Sequence, residues 1–146
     1  MSTTVPAMRA IRQTIVKRLR DDAALAALLG GPNRIFHRMR KQPMEARSVS
    51  YFDFGRKPDR TVPLRDRTFQ LDVWDTSPER AANVADRIEA VLDPEGKGRG
   101  AAFGVVGGGT ANIVYIGLIR DSDVVADDGD LVKATLEYQV LAYKLA

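Results

Sequence analysis

A chain of 146 residues, 45% hydrophobic and 28% charged, has the composition of one globular domain able to bury a core without covalent staples. The absence of cysteine excludes disulfides, thiolate catalysis and thiolate metal sites, and suits assembly in a reducing cytoplasm. The net charge of +3 hides a division, because residues 1–67 hold 15 Lys and Arg against 6 Asp and Glu, whereas residues 68–146 hold 7 against 13.

In chain order, residues 1–5 are expected to be disordered. A helix is predicted from about Pro6 to Arg20, with Met8, Ile11, Ile15 and Leu19 on one face and the basic residues outside. Arg9, Arg12, Lys17, Arg18 and Arg20 break up the only stretch that resembles a signal peptide, and no apolar run approaches the roughly 18 residues of a membrane span. Asp21 or Asp22 caps a short second helical segment, AALAALL, which Gly30-Gly31 and Pro32 end. Arg34 to Arg40 reads as a short strand or extended link anchored by Ile35 and Phe36. Val49 to Phe54 reads as an aromatic-rich strand.

The loop GRKPDRTVPLRDR follows, basic and long enough to be functional or a hairpin arm. Phe69, Leu71 and Val73 then alternate with Thr68, Gln70, Asp72 and Trp74, the period of a half-buried strand. Thr76 and Glu79 stand in capping-box relation, with Pro78 in the first turn of a helix. Ala81, Val84, Ala85, Ile88, Val91 and Leu92 form its apolar face, and Asp93-Pro94 stops it. Residues 95–110, with seven glycines, are expected to form a flexible loop. Two strands close the chain, Asn112 to Ile119 and Leu131 to Tyr143, joined by DSDVVADDGD with its Asp128-Gly129 turn signal.

This order predicts a single α+β domain over residues 1–146. Its sheet has about four strands, largely antiparallel, with two main helices on one face in the order α-β-β-α-β-β.

Candidate chemistry is sparse. His37 is the sole histidine and lies among Arg34, Arg38 and Arg40, so a surface role outweighs catalysis. Asp121, Asp123, Asp127, Asp128 and Asp130 suggest calcium, but Val125 and Ala126 occupy the fifth and sixth loop positions, where a ligand and a glycine are needed. The glycine tract follows a helix and Gly96-Lys97 precedes no Ser or Thr, so it is no phosphate cradle. Trp74, Tyr51, Phe52 and Phe54 read as packing or interface anchors before base-stacking platforms. No catalytic residue, metal ligand or cofactor site is assigned.

The strongest signal is a basic strip of Arg34, Arg38, Arg40, Lys41, Arg47, Arg56, Lys57, Arg60, Arg65 and Arg67. It can meet DNA phosphates or the acidic segment of another copy. Two independently solvated surfaces are the plainer reading of the same polarity.

Three segments carry a resemblance to a known family. They are LRDDAALAALLGGPNRIF, FQLDVWDTSPERAANVADRIEAVLD and GLIRDSDVVADDGDLVKATLEYQVLAY, which in order and spacing cover about Met8 to Tyr143. The chain resembles the tail completion proteins of long-tailed phages and gene transfer agents, also called tail terminators or tail-to-head joining proteins. It departs locally: Pro43 lies well before Val49, and the glycine tract is longer than usual.

The resemblance implies a structural virion protein of the tail or neck, assembled in the host cytoplasm, without catalysis, cofactor or membrane contact. Such proteins form a ring, expected to be hexameric, that ends tail-tube polymerisation and receives the head connector while DNA passes through the lumen. Its partners would be itself, the tail tube protein, the connector and double-stranded DNA bound without sequence specificity. The expected contact residues are Arg34, Arg38, Arg40, Lys41, Arg56, Lys57, Arg60 and Arg65, with Asp121, Asp123, Asp127 and Asp128 as the complementary or lumen-facing patch. The alternatives are another connector component (stopper or adaptor), a nucleic-acid-binding module, or a small enzyme lacking a visible catalytic set.

Overall fold

The computed structural model describes residues 6–37, 46–55, 64–93, 103–122, 125–126 and 130–145. Helix α1 (Ala7–Arg20) buries Ala7, Ala10, Ile11, Ile15, Val16 and Leu19, while Met8 stays half-exposed. Helix α2 (Ala23–Leu29) starts where Asp22 accepts a hydrogen bond from the Leu25 N–H, and it ends at Gly30 in the left-handed conformation. A single 3₁₀ turn, Pro32–Arg34, leads into β1 (Ile35–His37).

Strand β2 (Ser48–Gly55) pairs in antiparallel register with β3 (Leu64–Asp75), from Ser48 opposite Trp74 to Gly55 opposite Arg67. The basic loop is therefore shorter than expected, because Leu64 to Arg67 already belong to β3. That charged stretch lacks apolar alternation. It is held in the sheet by the end of β7 (Val132–Lys144), and β2 joins on the other side only from Arg67 onward.

Helix α3 (Pro78–Leu92) has the predicted extent, but its cap is Ser77, not Thr76. Ser77 Oγ accepts from the Arg80 N–H, and the buried Asp75 carboxylate accepts from the Ser77 N–H. Part of the expected flexible loop is also ordered. Strand β4 (Gly104–Val106) pairs with β5 (Ala111–Asp121) across a turn in which Gly107, Gly108 and Gly109 all have positive φ. A two-residue strand, β6 (Val125–Ala126), pairs with β7. The expectations for residues 1–5 and 94–102 lie outside the described residues.

The sheet order is β1-β2-β3-β7-β5-β4, with β6 also on β7. The class is α+β as predicted, but among the described residues the sheet has seven strands instead of about four and three α-helices accompany it. Neighbours are antiparallel except β1 and β2, which run parallel. The three helices lie against one face. There Leu71 and Phe69 of β3 face Leu136 and Tyr138 of β7, beneath Val84, Ile88 and Leu92 of α3. On the opposite face Trp74 is buried, donates to Ser50 Oγ at 3.0 Å and lies under the Lys133 ammonium. It is a packing residue, as its strand position suggested.

Candidate functional site

The described surface carries two grooves of opposite charge. The first, of about 420 Å³, runs along α1 beside β2 and is lined by Arg9, Arg12, Lys17, Arg20 and Tyr51, with Asp21 paired to Lys17 at its edge. Helical spacing aligns these basic residues on the outer side while Ile11, Ile15 and Leu19 hold the inner side to the sheet. Beside the groove, Asp53 receives Arg67 Nη2 at 2.7 Å and lies 3.7 Å from Arg12 Nε. One carboxylate thus serves two guanidiniums. The Nε donors of Arg12 and Arg67 are both buried without a hydrogen-bond partner. Arg9 forms no ion pair among the described residues.

The second groove, of about 120 Å³, opens between α3 and the β5 and β7 strands. Asp86, Glu89 and Asp121 line it over a floor of Ala85, Ala134 and Leu136. Burial pushes the Glu89 carboxyl above its ordinary range, and the charges of Asp121, Asp86 and Asp93 push it further. Tyr138 lies 2% exposed under the same carboxylates, and its hydroxyl has no hydrogen-bond partner. Burial raises its pKa, with Glu89, Asp93 and Asp121 adding to the effect. Among the described residues no cation is paired with Asp86, Glu89 or Asp121.

Other charges are used internally. Arg87 grips Asp22 with two bonds of 2.8 and 2.6 Å, tying α3 to the start of α2, and holds that carboxyl below its usual range. Arg80 forms an equivalent fork on Asp75 at 2.7 and 2.6 Å. Burial there opposes ionisation, but Arg80 and the Ser77 N–H outweigh it and Asp75 is lowered.

The expected contact residues divide accordingly. Arg34 donates to the carbonyls of Ala46 and Arg47, at 2.8 and 3.1 Å. Arg47, at a left-handed φ of 57°, donates to Leu28 and Ala27 carbonyls and so caps the end of α2. Arg67 is on Asp53. Arg65 is half-buried on β3 opposite Ala142, and Asp121 is exposed at the end of β5, within the acidic groove. Arg38, Arg40, Lys41, Arg56, Lys57, Arg60, Asp123, Asp127 and Asp128 lie outside the described residues.

Sequence reasoning left both grooves unnamed. Asp86, Glu89 and Asp93 recur at helical spacing and mark one flank of α3, which was the readable signal. Asp121 and Tyr138 join them only through sheet register.

Nothing described forms a catalytic set. His37 stacks on Tyr51 at 5.2 Å, and Tyr51 on Phe69 at 5.6 Å, so the imidazole extends an aromatic column. Among the described residues no three His, Asp or Glu side chains are arranged to hold a metal ion. No described helix is long and apolar enough to cross a membrane.

Comparison with known proteins gives a consistent result. The family model described as "Tail completion protein gp17" matches residues 13–143. Among solved structures, a chain from the virion of a native gene transfer agent particle has the same fold. It superposes with a TM-score of 0.71 at 17% identity, covering 94% of this chain and 97% of that one. No curated protein matches.

Proposed function

The protein belongs to the tail completion protein gp17 family and is a structural protein of the virion tail, and from that membership we propose that it ends the tail tube. Copies assemble as a ring, hexameric in our reading, on the head-proximal end of the tube. The ring blocks further polymerisation and presents a surface to the head connector, while DNA passes through its lumen. The role is architectural, with no catalysis, cofactor or sequence-specific DNA contact.

The observation that carries this reading is the family match across residues 13–143, which leaves only short ends of the chain outside it. The occurrence of the same fold in a gene transfer agent virion supports it. So does the charge division, since a ring needs two different patches that meet in turn around a closed circle.

Within this reading, Arg38, Arg40, Lys41 and the arm bearing Arg56, Lys57, Arg60 and Arg65 contact the tube, the connector or a neighbouring copy. Asp123, Asp127 and Asp128 provide complementary charge or face the lumen. Reversing Arg56, Lys57 and Arg60 to Glu abolishes ring formation; an unchanged ring removes them from the contact.

The test of function is negative-stain microscopy of the cognate tube protein polymerising with and without this chain. Short tubes bearing a ring at one end are expected. Tubes of unchanged length at saturating protein refute termination.

A further inference from the structure

We propose that the acidic groove beside α3 and the basic groove along α1 are the two halves of one head-to-tail contact between copies of this chain. The inference rests on the ring-forming reading above and names the surfaces that would mate.

The acidic groove is incomplete in a single subunit. Asp86, Glu89 and Asp121 face each other without a cation, in a site where burial already disfavours the charge of Glu89. Tyr138 adds a buried hydroxyl with no partner beneath Glu89 and Asp121. At about 120 Å³ the groove is much smaller than the basic one. That suits the end of one long cationic side chain. A metal ion is a poorer occupant, since no three described carboxylates are arranged to hold one.

The same chain carries the complement. The basic groove has excess positive charge, and Arg12 and Arg67 share one carboxylate with an Nε donor of each left unsatisfied. Carboxylates from a neighbour would balance the excess charge of Arg9, Arg12 and Arg20. One groove opens beside β2 and the other over β5 and β7, with β3 between them in the sheet. The two patches differ in position as well as charge, so their contact is heterologous and each added copy presents a fresh groove to the next.

The experiment is a charge swap read at tube ends. Arg9→Glu with Lys17→Glu makes one variant, Asp86→Lys with Glu89→Lys a second, and all four substitutions in one chain a third. These positions are chosen because Lys17 pairs only with the exposed Asp21 one turn on and the other three form no ion pair among the described residues, and thermal melts establish that each variant is folded. Each double variant is expected to lose capping at least tenfold, while the quadruple variant, and an equimolar mixture of the two doubles, recovers it. Capping retained by either double variant, or lost without recovery, overturns the contact and leaves the terminator reading standing.

Wild-type protein that fails to cap tubes would instead sink that reading. The contact is then decided by trapping, which the cysteine-free background makes clean. Chains carrying Arg9→Cys and chains carrying Glu89→Cys, mixed under mild oxidation at high concentration, are expected to give a disulfide-linked dimer. No dimer above that from a control pair placed elsewhere on the surface overturns the contact.

Discussion

Glu89 and Tyr138 show how single residues depart from the optimum for an isolated subunit. Glu89 has a raised pKa in the folded state, so its ionisation opposes folding, and stability falls as pH climbs from its unfolded pKa through the folded one. Glu89→Gln should therefore raise the melting temperature at neutral pH and have little effect in acid, which calorimetry across that range checks. Tyr138→Phe removes a buried, unsatisfied hydroxyl and should stabilise the subunit by roughly 1 kcal/mol, readable as a shifted urea midpoint. Asp22 behaves oppositely. Its pKa is lowered by Arg87, so its contribution is complete above the unfolded value near ~3.9 and is lost as pH falls through the folded one. Arg87→Ala should flatten the loss of stability as pH falls below about 4. The Asp22 cap was legible in the sequence because a cap acts within one turn. The Arg87 partnership was not, because 65 positions separate the two residues.

At the scale of elements, hydrophobic period was a good guide and boundaries were poor. Helix α3 was readable from Val84, Ile88 and Leu92, and the latter part of β3 from Phe69, Leu71 and Val73. Two things escaped. The start of β3 is polar and exists through pairing with the end of β7, and β4 is a glycine-containing segment recruited by β5. The α3 cap shifted by one residue because Asp75 binds both the Ser77 N–H and Arg80, a tertiary arrangement that spacing rules do not encode. Ser77→Ala should cost about 1 kcal/mol in chemical denaturation, whereas Thr76→Ala should cost much less. Ile88→Ala, wholly inside the core, should cost about 3 kcal/mol and lower the denaturation midpoint accordingly.

For the whole molecule, the division into a basic and an acidic half was visible from composition, and the family from three ordered segments. The surfaces that express this polarity were not. Several arginines of the basic strip hold the fold together: Arg34 secures the Ala46 and Arg47 carbonyls, Arg47 the end of α2, and Arg67 secures Asp53. Positive charge in excess gathers instead on the outer side of α1, where Arg9 has no ion pair among the described residues, and negative charge on the flank of α3; only the folded sheet sets these beside Tyr51 in one case and Asp121 in the other. A subunit with two patches of opposite charge in different places suits the closed chain of contacts that the proposed ring requires. The most direct test is seeded elongation. Tubes incubated with this protein and then freed of excess are challenged with fresh, labelled tube protein. The account predicts that the head-proximal end adds no label while untreated tubes elongate; growth from treated ends at the untreated rate would contradict it.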